Sequence, residues 1–274
     1  VALLLTCRRV YQETHHLPPA SKEHVFWHSN GPAGPERNPF GDSHERFYFA
    51  RMTGWQRAQV RELHLFTQMF WLESSFGALC KQPFMKGLER VTITIRRGDW
   101  WWNERNAPLA ISPRVRTVQH GGEMVAEWER ERRGFVVPFG DDAWGSMFQQ
   151  LPHLKELVME LETAEDKALE LKTIVEKAKG WKFPMKGGMV LSAEGLGVET
   201  MVWRSPPCNF SDRCPYCGGP GLGGNCAGST DKCDEKKSLI AEGKGPLCTV
   251  STLRWRLVQG EARERQLQSL VTLP

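Results

Sequence analysis

One six-residue pattern returns along this chain: an apolar residue, two mostly polar ones, then apolar, any, apolar. It stands as Val60, Leu63 and Leu65, as Leu88, Val91 and Ile93, and as Leu154, Leu157 and Met159, with charged residues between the first two apolar positions each time. Looser copies are Val198, Met201 and Trp203, and Val250, Leu253 and Trp255. The last three positions of each copy alternate as a half-buried strand does, and the first sits where the chain turns into that strand. A unit of this kind cannot bury its apolar side alone, so copies must stack.

The segments before the strands carry apolar residues at helical spacing, over 55–59, 72–81 and 143–150; Trp144, Met147, Phe148 and Leu151 make one such stripe. A helix, a short turn and a strand, repeated, give parallel strands backed by helices. The expected fold class is therefore α/β, built of irregular leucine-rich-repeat-like helix-strand repeats. Start-to-start spacings of 28, 66 and 44 residues mark the repeats as interrupted. A further helix is expected after the third strand. Thr163 and Asp166 have capping-box-like spacing, Ala164, Ala168, Leu171, Val175 and Ala178 continue one apolar face, Glu162 lies at the start, and Gly180 is the stop.

Two stretches interrupt the repeats. Residues 100–140 read as a long lid or partner loop. Residues 206–249, rich in Gly, Pro, Cys and charge, read as a cysteine-rich hairpin insertion between strands at 198–204 and 250–257. The expected organisation is thus a terminal helix remnant at 1–20, a repeat domain at 21–205 resumed at 250–274, and the insertion at 206–249.

Cys208, Cys214, Cys217, Cys226, Cys233 and Cys248 fall in or beside that insertion, leaving only Cys7 and Cys80 elsewhere. The apolar run at 1–5 passes straight into Thr6, Cys7, Arg8 and Arg9, which fits neither a signal peptide nor a membrane span. An intracellular protein, in cytoplasm or nucleus, is the expectation, and there clustered thiols point to metal before disulfides. Cys214-Pro-Tyr-Cys217-Gly is a knuckle that aims two thiolates at one ion, and zinc closes its shell with four such ligands. The candidate set is Cys214, Cys217, Cys226 and Cys233, with Cys208 and Cys248 as alternatives. An all-sulfur shell would order the loop as one structural zinc, with no open position for chemistry.

The run Trp100, Trp101, Trp102 offers large contact area at low entropic cost and is the candidate partner-binding group. Along a strand Trp100 and Trp102 face one side and Trp101 the other. His24 and His28 have i, i+4 spacing, but Val25, Phe26 and Trp27 between them favour a strand that separates the rings. Asp141 and Asp142 precede a helix start and read as N-capping groups. There is no Gly-x-Ser-x-Gly elbow, no His-Glu-x-x-His pair and no phosphate loop, so no residue-level sign of an enzyme. A composition of 40% apolar and 25% charged residues excludes a wholly disordered, collagenous or coiled-coil chain. The net charge of +4 is too small to indicate a nucleic-acid partner by itself. That alternative would rest on the knuckle, the tryptophans and Arg130, Arg132 and Arg133.

The opening LLLTCRRVYQET, together with HVFWH and WQRAQVRELHLF, resembles the final helix of the F-box-like region and the strands after it in a large class of fungal proteins of unknown function. The resemblance implies a substrate-receptor or scaffold role, with the repeat surface holding an unidentified protein client. The upstream Leu-Pro-x-Glu half of an F-box is not in the sequence. Docking of a ubiquitin-ligase adaptor is therefore implied only for a chain that carries a segment before Val1.

Overall fold

The computed structural model describes residues 17–28, 48–105, 107–119, 121–205, 238, 242 and 244–259. In chain order the helices are α1 (Leu17–Ser21), α2 (Gly54–Arg57), α3 (Met69–Ser74), α4 (Phe76–Cys80), α5 (Gly122–Arg132) and α6 (Ala168–Ala178). The strands are β1 (His24–His28), β2 (Glu62–Thr67), β3 (Arg90–Ile95), β4 (Glu156–Ala164), β5 (Lys182–Pro184), β6 (Met189–Ser192), β7 (Glu199–Arg204) and β8 (Leu247–Gln259). All eight strands belong to one mixed sheet of order β1-β2-β3-β4-β8-β6-β5, with β7 pairing β8 beyond the end of β6. The fold is mixed α/β.

The repeated pattern has a direct structural meaning in its three stronger copies. Leu63 pairs in register with Val91, and Val91 with Leu157; Leu65 pairs with Ile93, and Ile93 with Met159. All six side chains are buried, as are the lead residues Val60, Leu88 and Leu154. β1 to β4 are parallel and adjacent in sequence order. The last copy departs from this: β8 runs antiparallel to β4, to β6 and to β7. The expected all-parallel arrangement therefore fails at β8, and parallel pairing is confined to β1 to β4.

The pre-strand segments are shorter and tighter than the predicted helices. Residues 55–59 contribute one turn, residues 72–81 are divided between α3 and α4, and Trp144–Gln150 is a 3-10 helix. The second and third still deliver apolar groups to the core, whereas residues 55–59 bury none and leave Trp55 exposed. Trp144, Phe148, Trp181, Phe183 and Trp255 form one aromatic cluster, with neighbouring ring centroids 5.2–6.2 Å apart. Two of its buried indole N–H groups have partners, Trp144 Nε1 donating to Ser112 O at 2.7 Å and Trp255 Nε1 to Trp181 O at 3.1 Å.

Three local expectations are corrected. Thr163 does not cap a helix; it is a buried residue of β4, which continues to Ala164 because β8 offers it a nine-residue partner. A 3-10 turn follows at Glu165–Lys167, and α6 then presents Leu171, Ile174, Val175 and Ala178 to the core. Residues 100–140 are not one long loop, since they contain α5 and several core residues. Leu109, Ala110, Ile111, Val118 and Met124 are buried, and Glu127 of α5, 2% exposed, receives Ser112 Oγ and, at 2.7 Å, Arg114 Nη1. Asp141 and Asp142 do not cap the 3-10 helix, whose N-cap is Ala143; Asp142 pairs with Arg116 at 3.5 Å.

Candidate functional site

Strand alternation divides the sheet into two faces. One carries the leucines, isoleucines and valines just described; the other carries the residues between them. From β2 to β8 the outward positions hold Glu62, Arg90, Glu156 and Arg256, all in one register row. Charge alternates along the row, and each neighbour is paired. Arg90 Nη1 donates to Glu62 at 3.4 Å, Arg90 Nε to Glu156 at 2.7 Å, and Arg256 Nε to the other oxygen of Glu156 at 3.3 Å. Burial pushes the Glu156 carboxyl up, but the two arginine hydrogen bonds and charges together outweigh it and hold the group below the usual carboxylate range.

Four residues further along the strands, Trp27 stacks on Phe66 at 3.9 Å, and His64, midway between the two rows, lies over the same phenyl ring at 4.4 Å. Arg96 lies 4.8 Å above the Trp27 ring and pairs with buried Asp99 at 3.0 Å. Thr94 donates to Glu160 at 2.7 Å, which uses the only hydroxyl proton. His64 Nε2, 2.7 Å from the same hydroxyl, must then be the donor, and its Nδ1 stands 3.5 Å from Glu23.

This order of carboxylate, imidazole and hydroxyl invites comparison with a nucleophilic triad. The geometry opposes it, since Thr94 gives its proton to Glu160. The β3 backbone is paired on both edges, with β2 and with β4, so its amides are engaged in the ladders and are not an oxyanion hole. The network holds charges in place and presents them.

Two grooves lie on this face. One, of about 320 Å³, is bordered by Glu23, His64, Arg90, Glu156 and Arg254. The other, of about 650 Å³, runs between Phe66 and Trp203, with Thr94, Glu160, Glu162 and Met201 among its lining residues. Glu162 accepts from the Arg97 amide at 3.2 Å and from Trp203 Nε1 at 3.2 Å. Burial pushes its carboxyl above the usual range, and these two bonds pull back only part of that rise.

The sequence-predicted groups fall elsewhere. Trp100 is buried, its Nε1 donating to Glu162 O at 2.8 Å, so it braces the strand beneath the larger groove. Trp101 donates to Glu73 at 2.9 Å on the helical side, and half-buried Trp102 has φ 52° between two 3-10 turns, where a strand was expected. His24 and His28 do lie in a strand; His24 contacts Tyr48 and the Pro19 carbonyl, and His28 stacks on Trp71. Cys208, Cys214, Cys217, Cys226 and Cys233 lie outside the described residues. Cys248 is buried in β8, opposite Ala164 and Trp203. Among the described residues no group of three or more His, Cys, Asp or Glu side chains could hold a metal ion, and no helix is long and apolar enough to cross a membrane.

Sequence reasoning missed Glu23, His64, Arg90, Glu160, Arg254 and Arg256 as one surface. The available signal was the polar half of the alternation in VRELHL, LERVTI and KELVMELE. Fold and surface together define an α/β protein with one helix-backed apolar sheet face and one open, charged and grooved face. No protein-family model, no curated protein and no solved structure matches the chain.

Proposed function

We propose that this chain is a non-enzymatic protein-interaction module, of substrate-receptor or scaffold type, and that the open face of its sheet is the contact surface. The observation that carries this reading is the ladder of paired charges and stacked rings bordering two grooves on one face of the mixed sheet. Side chains already locked by one another lose little freedom on binding, so such a surface is preorganised for a partner. The F-box-like resemblance of the opening segment supports the same role.

The face carries both signs of charge, with six carboxylates (Glu23, Glu62, Glu156, Glu160, Glu162, Glu199) against four guanidinium groups (Arg90, Arg96, Arg254, Arg256). That balance suits a protein surface and opposes a phosphate backbone. The cysteine-rich segment between β7 and β8 belongs to the proposal as a zinc-ordered element. One zinc per chain, lost in Cys214→Ser and Cys217→Ser, is the expected elemental analysis.

Site-specific photo-crosslinking tests the contact surface. A crosslinker at Thr252, on the open face, is expected to give a discrete adduct in cell extract that excess unlabelled protein competes away. The same group at Leu169, 77% exposed on α6, should give none. Adducts from Leu169 alone would move the function to the helical side.

A further inference from the structure

The arginines of the open face are neutralised within the molecule: Arg90 by Glu62 and Glu156, Arg256 by Glu156, Arg254 by Glu199, and Arg96 by Asp99. Two carboxylates of that face are not matched in this way. Glu160 accepts from the Thr94 hydroxyl and lies 3.9 Å from His64 Nε2, while Glu162 accepts from an amide and an indole. Among the described residues neither is within ion-pair distance of a lysine or arginine. They are alternate residues of β4, so their Cα atoms stand about 7 Å apart on one face.

Both line the larger groove, with Phe66 toward β2 and with Met201, 61% exposed, and Trp203, 37% exposed, toward β7. Carboxylates beside aromatic faces are the chemistry that holds a guanidinium or an ammonium group, through charge-assisted hydrogen bonds and the π quadrupole. The same face already shows this chemistry internally, where Arg96 stacks on Trp27 while paired to Asp99. Glu162 is partly desolvated and its hydrogen-bond donors are neutral; Arg96, which lines the same groove, acts on it through charge alone and is itself paired with Asp99, so the carboxylate keeps acceptor capacity for an incoming cation.

We propose that this groove receives an arginine or lysine side chain from an extended basic segment of a partner protein, with Glu160 and Glu162 as its counter-charges and Trp203 as its aromatic wall. The proposal rests on reading the open face as the interaction surface, and its test separates the two.

Peptides of about 12 residues, selected from a random library on the purified full chain, are titrated against it while the Trp203 indole N–H resonance is followed, assigned with Trp203→Phe. The expected result is a shift of Trp203 by peptides sharing a central arginine or lysine. Replacing that residue by citrulline or norleucine should weaken binding by roughly tenfold or more. Glu160→Gln and Glu162→Gln should weaken it comparably, and Glu129→Gln on exposed α5 should leave it unchanged. Peptides that shift Trp203 but tolerate the neutral replacement would overturn the cationic groove and leave the interaction face standing. Failure to enrich any peptide that moves an open-face resonance would overturn both. The peptide replacements are read on the unaltered chain, so they decide the matter even where a Gln variant folds poorly.

Discussion

The two faces of this sheet come from the same strands and differ in what fixes them. On the helix-backed face the register partners Leu63, Val91 and Leu157 are interchangeable apolar groups, held by exclusion of water and close packing. On the open face the partners Glu62, Arg90, Glu156 and Arg256 are specific, each paired by sign with its neighbours. The first face holds the molecule together, and the second is held in place by it. Changes on the first should therefore be read in stability, and changes on the second in recognition.

The largest effect is expected in the aromatic cluster. Trp144→Ala removes a side chain that is 1% exposed and contacts Phe148, Trp181 and Phe183, and it should lower unfolding stability by about 3–5 kcal/mol in a denaturant titration. Gly145→Ala, one residue away, would place its Cβ 2.5 Å from the Pro113 carbonyl oxygen and 2.6 Å from the Phe139 ring. A backbone atom cannot step aside as a side chain can, so a loss of about 1–3 kcal/mol is expected by the same measurement.

Glu156→Gln probes the charged face and should cost about 1 kcal/mol or less at neutral pH, since its two arginine partners keep 45% and 62% of their side-chain surface exposed to water. Its sharper signature is in pH. A carboxyl held below its ordinary range by Arg90 and Arg256 contributes stability at pH above the ordinary carboxylate value, and that contribution is lost as pH falls through the lowered one. The unaltered chain should therefore lose stability more steeply across that acidic window than Glu156→Gln. Equal slopes would mean that the ladder is ornamental.

Much of the helix-backed face was legible in the sequence because burial imposes a periodicity. The positions of Leu63, Leu65, Val91, Ile93, Leu157 and Met159 follow from alternation alone. The direction of β8 does not. Val250, Leu253 and Trp255 fit the same pattern, and what makes this strand antiparallel is its return beside β7 rather than by a crossover, a fact of chain path. Thr163 was misread because cap propensity is local, whereas the pairing of β4 with Cys248–Arg256 of β8 is not.

The open face was hardest to see. Its ion pairs join residues 28, 66 and 100 positions apart, and only register brings them into one row. The tryptophan triplet drew attention by density, yet Trp100 is spent on bracing Glu162 from below. Trp203, isolated in sequence, is the indole that faces the groove.

The division of labour is tested most directly by blocking each face with the same substitution and measuring affinity for one groove-binding peptide. Thr252→Arg, on the open face, and Leu169→Arg, on α6, should both unfold within about 0.5 kcal/mol of the parent chain, since neither site is buried. Thr252→Arg should abolish peptide binding, and Leu169→Arg should leave it intact. Equal loss from both, or loss from Leu169→Arg alone, would contradict the assignment of recognition to the open face of the sheet.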